Sequence, residues 1–351
     1  MSRNLVKGME VLVVRGLSKL NTEVSFRSGC LLVAAFSIAR GTSCLFSKQL
    51  LDSMEPLTLL GTRFLWAFFI LFLLFYRKVI EDIKNNPEIV PASFFLGGVY
   101  FVCMTAELVG LQYTSASICS FLENSAIVIV PVIEAVLLRR FPLRVIIFST
   151  VVTFIGIGLI IFGSGSGMDG NGYNGILSGL GLGEILCMIA ALCYSAAIII
   201  TDRVSKKYAP MTLGILYVGV MGSLGMFASF IFETPHLPDT GSQWLMLLAL
   251  AVVCTAFGFT VQPLAQKALS SETTSIICAL NPLTAAGLGW LFLGDNLGSM
   301  GLVGAVLILS GIILPNMTWP LSSAKWPLSS AKWPLANAPV AVRQRKTHNL
   351  L

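Results

Sequence analysis

Residues 105–140 read TAELVGLQYTSASICSFLENSAIVIVPVIEAVLLRR. They form two apolar runs joined by a short turn, and each run is near the length of a membrane-spanning helix. Glu107, Glu123 and Asn124 lie inside these runs, where lipid makes carboxylates and amides costly. Residues 266–295 follow a similar pattern. The two stretches predict a membrane protein with a repeated helical hairpin and polar groups of functional importance.

Composition extends this prediction to the whole chain. Of its 351 residues, 55% are hydrophobic and 11% are charged, whereas a soluble protein is about 25% charged. So few charges cannot cover the surface of a water-soluble globule. We therefore predict an all-α, multi-pass membrane protein whose surroundings are the lipid bilayer.

The apolar runs predict ten transmembrane helices. Only helices and closed barrels satisfy their backbone hydrogen bonds in lipid. The runs here are continuous and near helical spanning length, rather than short and alternating as in barrel strands. The predicted spans are 29–47, 56–76, 92–112, 115–138, 144–163, 180–201, 211–232, 244–265, 271–293 and 298–316.

Lysine and arginine positions predict the orientation of these spans. Of 23 such residues, twenty fall on one side, Lys48 falls on the other, and Arg40 and Arg63 lie within spans. Cytoplasmic loops carry the excess of positive charge. We therefore expect both termini in the cytoplasm and the protein in the plasma membrane. The net charge of +6 then reflects topology rather than a nucleic-acid partner.

The order of spans also predicts an internal repeat. A Gly- and Ser-rich segment follows the fifth span, and an odd number of spans inverts the second half relative to the first. Gly156 and Gly311 occupy matching positions in the two halves. The expected divisions are a cytoplasmic arm at 1–27 without a cleaved signal peptide, a five-helix repeat at 28–163, an extracytoplasmic linker at 164–179, a second repeat at 180–316, and a cytoplasmic tail of WPLSSAK repeats at 317–351.

Four short motifs resemble those of the EamA-type drug/metabolite transporters. They are EPLTLLGTRF at 55–64, LQYTSAS at 111–117, GEILCMIAALCY at 183–194, and the stretch from NP at 281–282 to LGD at 293–295. The likeness covers about residues 28–316. Two departures are Arg139–Arg140, where many members have Gly-Glu, and Asn124–Ser125, near a common Ser-Pro. The resemblance implies ten helices in two five-helix repeats, a cavity lined by the fourth and ninth spans, and transport of small organic solutes, often amino acids or other metabolites.

Each intramembrane charge has a structural and a functional interpretation. Arg63 either fixes helix packing, for example by pairing with Glu107, or binds an anion. Glu184 either favours the start of its helix through the macrodipole or contacts solute. Glu123 lies deepest, beside Asn124, and is the candidate proton carrier if transport is proton-coupled. Burial and a nearby arginine would act on its charge in opposite directions.

Uncharged polar and aromatic residues complete the candidate cavity. Gln262 and Asn281 either donate to a polar solute or satisfy backbone near Pro263 and Pro282. Tyr194 is placed to stack on an organic solute. The full set of substrate-cavity candidates is Glu123, Asn124, Ser120, Asn281, Gln262, Tyr194, Arg40, Arg63, Glu107 and Glu184.

These features favour a secondary transporter that exports small organic solutes by alternating access around a cavity between the fourth and ninth spans. A gated channel or scramblase-like protein is the first alternative, and a membrane-embedded enzyme is the second. Both histidines lie outside the predicted spans and no HExxH or ATP-binding motif occurs. We therefore expect no metal, no cofactor and no catalytic residue. The oligomeric state and the solute stay open.

Overall fold

A computed structural model of the chain describes residues 26–137, 144–163, 181–258, 277–278, 280–295 and 298–318. Every regular element within those ranges is helical. Two π-helical segments, Leu250–Ala256 and Gly289–Leu293, directly continue α9 and α10. The α-helices are α1 Phe26–Leu50, α2 Pro56–Asn85, α3 Ile89–Tyr113, α4 Ala116–Asn124, α5 Ala126–Leu137, α6 Arg144–Gly163, α7 Leu182–Lys207, α8 Pro210–Phe232, α9 Gly241–Ala249, α10 Leu280–Leu288 and α11 Gly298–Thr318.

Five helices in this part of the chain are long and apolar enough to cross a membrane. They are Cys30–Leu50, Pro56–Asn85, Ile89–Tyr113, Leu182–Thr201 and Pro210–Phe232. Shorter apolar helical stretches are Ala116–Val130, Ile147–Ile160, Gly241–Ala256, Leu280–Leu293 and Gly298–Leu314. The prediction of a helical protein with several membrane-length segments is therefore confirmed by length and composition.

Proline and hydroxyl side chains set the start of several helices. Pro56 and Pro210 occupy the first turns of α2 and α8, where a missing backbone N–H costs nothing. Ser115 caps α4, because its Oγ accepts a hydrogen bond from the backbone N–H of Ile118 at 3.2 Å. Thr240 begins α9 with a reciprocal capping box. These local signals explain why the helix starts lie close to the predicted ones.

The predicted fourth span, 115–138, differs from the structure, which divides it at Ser125 into α4 and α5. The Ser125 Oγ donates to Leu122 O at 2.6 Å. Its backbone N–H is shared between Phe121 O and Leu122 O, both at 3.2 Å. A serine that bonds a carbonyl of the preceding turn competes with the regular helix ladder. Ser125 itself keeps helical dihedral angles (φ −59°, ψ −21°) and its N–H still reaches Phe121 O, so the predicted span is locally irregular at Ser125 rather than interrupted.

Glycines allow helices from the two halves of the chain to approach closely. A β-carbon on Gly156 in α6 would lie 2.7 Å from Gly304 O in α11, and one on Gly304 would lie 2.6 Å from Gly156 O. In the same way, a β-carbon on Gly225 in α8 would lie 2.9 Å from Gly61 N in α2. Small residues at such interfaces let backbones meet in a bilayer. The α2/α8 and α6/α11 pairs are thus closely packed.

The helix bundle has two ends, each named after a lysine that lies there. The Lys48 end contains the C-terminal ends of α1, α3 and α8 and the start of α4, while the Lys207 end contains the C-terminal ends of α2 and α7. The cytoplasmic arm, the linker and the tail fall almost entirely outside the described residues, as does the Arg139–Arg140 pair. Which end faces the cytoplasm therefore stays a prediction from the charge distribution.

Candidate functional site

A small cavity lies between helices of the first half of the chain and one segment of the second half. It is bounded by α1, α2, α3, α4 and the π-helical segment Leu250–Ala256. Its volume open to the centres of water molecules is about 20 Å³, which is room for one or two waters. The lining residues are Phe36, Arg40, Ser43, Cys44, Arg63, Phe64, Met104, Glu107, Glu123 and Cys254.

One arginine of this cavity is paired with a glutamate. The Arg40 guanidinium in α1 donates to the Glu123 carboxylate in α4, and the two form a salt bridge. The Glu123 residue is 2% exposed. The Arg40 guanidinium also lies 5.0 Å from the centre of the Tyr194 ring in α7, a distance at which a cation is attracted to an aromatic face. Each charge of this pair is therefore compensated inside the protein.

The second arginine is held by hydroxyl groups instead. Arg63 Nε donates to Thr255 Oγ1 at 2.7 Å, and its Nη2 donates to Ser43 Oγ at 2.9 Å. The π-helical segment positions the Thr255 hydroxyl, because that hydroxyl donates to Leu250 O, five residues earlier, at 3.1 Å. These contacts fix α2 against α1 and against the π-helical extension of α9. They do not include Glu107, so the pairing considered from the sequence is not formed.

Glu107 is the carboxylate that lacks such compensation. Its Oε2 is enclosed and has no hydrogen-bond partner among the described residues. Ligand atoms of Glu107, Cys44 and Glu123 lie within 4.8 Å of one another. A thiol and two carboxylates are also a cation-binding set, but Arg40 already supplies a cation to Glu123. We therefore interpret the cluster as a charge network rather than a metal centre.

The amide candidates meet beside the cavity without lining it. Asn281 Nδ2 in α10 donates to Asn124 Oδ1 at 3.2 Å, and Asn124 Nδ2 donates to Ser120 O at 2.7 Å. Ser120 Oγ and Asn281 Oδ1 are buried without a partner in the described chain. The fourth and ninth predicted spans thus contact each other through amides. Among the lining residues, only Glu123 comes from these two spans.

The remaining candidates occupy other places. Tyr194 lies behind Arg40, with its ring 6.1 Å from the Tyr100 ring in an edge-on arrangement. Glu184 lies in the first turn of α7 and accepts a hydrogen bond from Thr114 Oγ1 at 2.8 Å. That position agrees with the macrodipole interpretation. Gln262 lies outside the described residues.

Sequence reasoning missed several lining residues, and some were detectable. Ser43 and Cys44 follow Arg40 at the i+3 and i+4 positions, so the helical period places all three on one face. Thr255 offered no comparable signal. Its orientation depends on a π-helical turn, which hydrophobic periodicity does not reveal.

Apolar helices of membrane-spanning length around a buried charge network indicate a multi-pass membrane protein. The EamA-like transporter family model matches the chain twice, over residues 27–162 and 181–317. The chain therefore belongs to the EamA-like transporter family and contains two EamA repeats.

Relatives of this chain are transporters by name. An uncharacterized transporter of Archaeoglobus fulgidus is 25% identical over 294 residues, covering 81% of this chain and 84% of that protein. The uncharacterized inner membrane transporter YhbE of Escherichia coli K12 is 27% identical over 138 residues, covering 38% and 42% of the two chains. The threonine/homoserine exporter RhtA of Salmonella typhimurium is 28% identical over 141 residues, covering 38% and 44%.

A solved structure shares the fold. A protein whose crystal structure carries no functional description superposes with a TM-score of 0.60 at 14% identity. The match covers 85% of this chain and 99% of that protein. At this identity the likeness concerns the fold alone. The assignment as a membrane transporter rests on the family match.

Proposed function

We propose that the chain is a ten-span secondary transporter built from two inverted five-helix repeats, divided at 28–163 and 180–316. The packing pattern supports this proposal. The repeat pairs α3 with α9 and its π-helical extension, and α1 with α7. The α3/α7 contact should therefore have a counterpart between α1 and α9 with its extension, and both contacts occur. The α2/α8 and α6/α11 contacts are unchanged when the two repeats are exchanged. A pseudo-twofold axis of this kind is typical of secondary transporters.

The transported solute is, in this proposal, a small zwitterion such as an amino acid. The observation that carries it is the open pair, Arg63 and Glu107. Among the described residues, the hydrogen bonds of Arg63 use Nε and Nη2 and leave Nη1 without an acceptor, although the guanidinium also lies 5.2 Å from the centre of the Phe64 ring. Glu107 Oε2 is buried without a donor in the same part of the chain. The carboxylate of a zwitterionic solute would bind Arg63 Nη1, and its ammonium group would bind Glu107 Oε2. The Arg40–Glu123 pair needs no such partner.

Transport requires the bundle to change shape. A cavity of about 20 Å³ holds water but not an amino acid. Solute entry therefore needs the helices to separate at one end while the other stays closed, which is alternating access. Export from the cytoplasm is the proposed direction. The name of the RhtA relative, a threonine/homoserine exporter, favours both the direction and the solute class.

Proton coupling through Glu123 stays a prediction. Proton uptake by this carboxylate would break its salt bridge with Arg40, so the proton would also release α1 from α4. A Glu123→Gln variant in liposomes tests the role. Unchanged solute flux with unchanged pH dependence would exclude it.

Threonine counterflow tests the proposed function. Purified protein in liposomes loaded with unlabelled threonine should accumulate labelled threonine transiently and with saturation, whereas protein-free liposomes should not. Flux that rises linearly with concentration and shows no counterflow would favour the channel alternative. Lipid redistribution would favour a scramblase, and a chemically altered product would favour an enzyme.

A further inference from the structure

A carboxylate links the two halves of the protein at the Lys48 end. Asp295 Oδ2 accepts hydrogen bonds from Ser117 N at 3.1 Å and from Ser117 Oγ at 2.7 Å. Asp295 follows the π-helical extension of α10, whereas Ser117 lies in the first turn of α4. An acidic group at a helix N-terminus satisfies a free backbone N–H and the positive end of the helix dipole. The contact therefore joins α10 to α4.

The backbone around Asp295 is shaped for this contact. Gly294 adopts a left-handed φ of 68°, which ends the helix and turns the chain back. Asp295 N then donates to Gly289 O at 3.1 Å. A β-carbon on Gly289 would lie 2.5 Å from Asp295 Oδ2 and 2.6 Å from Ser117 Oγ. Glycine at 289 thus leaves the space in which the two side chains meet.

Lys48 reinforces the same end. Its Nζ donates to the carbonyl oxygens of Leu111 at 2.6 Å, Gln112 at 3.1 Å and Thr114 at 2.9 Å. These carbonyls end α3, where a cation is favoured by the dipole. Lys48 also lines an open depression of about 280 Å³ on the surface of this end. The ends of α1, α3, α4 and α10 therefore converge there.

The cavity and the surface depression lie at successive levels of the same helices. Cys44 lines the cavity, and Lys48 lines the depression one helical turn later, about 6 Å along α1. Glu107 and Leu111 are related in the same way in α3. Ser117 precedes the cavity-lining Glu123 by six residues, about 9 Å toward the Lys48 end of α4. A solute that moves from the cavity toward the depression along these helices would therefore pass the level of Lys48 and of the Asp295–Ser117 contact.

We propose that the Asp295–Ser117 contact is the gate of the cavity at the Lys48 end, with Asp295 as a positioning residue in transport. The gate opens when α10 withdraws the carboxylate from the first turn of α4. The gating role in transport rests on the proposed function, but the closure itself is measurable without transport.

Glu233 offers a matched control. It is also a carboxylate at the Lys48 end that caps a helix of the other half, with Oε1 accepting from Leu57 N at 2.8 Å and Oε2 from Thr58 N at 2.9 Å. The two helices it joins, α8 and α2, are already packed closely through Gly225 and Gly61. Loss of this cap should therefore leave the cavity closed.

The accessibility of Cys44 tests the gate. Proteoliposomes are treated with a membrane-impermeant thiol reagent from one side at a time, and Cys44 labelling is read by peptide mass spectrometry. Asp295→Ala should speed labelling from one side on the order of tenfold, since it removes two charge-assisted hydrogen bonds. Ser117→Ala and Gly289→Ala should act in the same direction, and Glu233→Ala should match the parent.

Each outcome decides the proposal. Parent-like Cys44 labelling in the Asp295, Ser117 and Gly289 variants, all monodisperse, would overturn it. Equal acceleration in Glu233→Ala would overturn it as well, because closure would then be a general property of that end. Faster labelling in a protein that shows no threonine counterflow would support the gate and reject the proposed function.

Discussion

Two arginines and two glutamates share one buried cavity, but their partners differ. Arg40 and Glu123 bind each other. Arg63 is held by the hydroxyls of Thr255 and Ser43, and Glu107 keeps an enclosed oxygen without a donor. A mutually paired charge stabilises the packing of helices. A charge held in place but left incomplete is available to a solute. We propose that this difference separates a structural ion pair, Arg40 and Glu123, from a pair that recognises solute, Arg63 and Glu107.

The largest expected effect concerns the paired glutamate. Glu123→Ala leaves the Arg40 charge buried without its partner, which typically costs about 3–5 kcal/mol. We expect a sharp loss of monodisperse protein and a lower thermal unfolding midpoint in detergent. Glu107→Ala is the control and should unfold within about 1 kcal/mol of the parent, because it removes no hydrogen bond of Oε2. Equal destabilisation by both variants would remove the distinction.

The next effect is on transport, and here Glu107 rather than Glu123 is the sensitive residue. Glu107→Gln should reduce threonine uptake about tenfold to a hundredfold, since a hydrogen bond to a charged group contributes about 1.5–3 kcal/mol and 1.4 kcal/mol corresponds to a factor of ten. Initial rates in proteoliposomes measure this loss. The unfolding midpoint should stay near that of the parent. Parent-like uptake by a stable Glu107→Gln protein would exclude a recognition role.

A smaller effect should follow from removing one hydrogen bond of Arg63. Thr255→Val keeps the shape of the side chain but removes the acceptor of Arg63 Nε. We expect a stability loss of about 1 kcal/mol and a rise of roughly fivefold in the half-saturation concentration for threonine. Ser223→Ala is a control, because the bond of Ser223 seen in the described part of the chain stays within its own helix, to Gly219 O at 2.8 Å. If the two variants behave alike, Arg63 does not depend on Thr255.

The smallest effect is a pH-dependent contact outside the membrane-spanning segments. Lys207 Nζ lies 2.8 Å from Glu88 Oε2, and this hydrogen bond holds the Glu88 pKa below its ordinary value of 4.5. The contribution to stability is therefore present above pH 4.5 and is lost as the pH falls through the lower folded-state pKa. Both side chains are exposed, so solvent keeps the effect small.

Lys207→Met checks this contact. The difference in unfolding midpoint between parent and variant should be small at pH 7 and should vanish at strongly acidic pH. A difference that does not vary with pH would show that packing of the lysine stem, rather than the ion pair, is responsible.

The class and most helices were predictable because they depend on local sequence. Apolar runs, Pro56 and Ser115 predict where spans lie and begin. The irregular turn at Ser125 and the π-helical turn that orients Thr255 were not predicted, because hydrophobic periodicity carries no signal for such local changes in helix geometry. The Arg40–Glu123 pair joins residues 83 positions apart. Composition shows that charges within apolar spans must be compensated. It does not show which residue compensates each charge.

The two repeats also differ in the residues that follow the helical hairpin. The offset that aligns Gly156 with Gly311 aligns Arg139–Arg140 with Gly294–Asp295. Sequence thus shows that the acidic residue after the hairpin occurs in one repeat only. It does not show that Asp295 reaches Ser117, since that contact depends on how α10 and α4 pack. Residues 138–143 lie outside the described part of the chain.

The most direct test of the open pair compares three solutes on two proteins. Binding of threonine, of 1-aminopropan-2-ol, which lacks the carboxylate, and of 3-hydroxybutyrate, which lacks the ammonium group, is measured on the parent and on Glu107→Gln. The parent should bind threonine about tenfold or more tightly than either analogue. Glu107→Gln should lose the preference for threonine over 3-hydroxybutyrate. A Glu107→Gln protein that keeps the full preference would contradict the assignment of the ammonium group to Glu107.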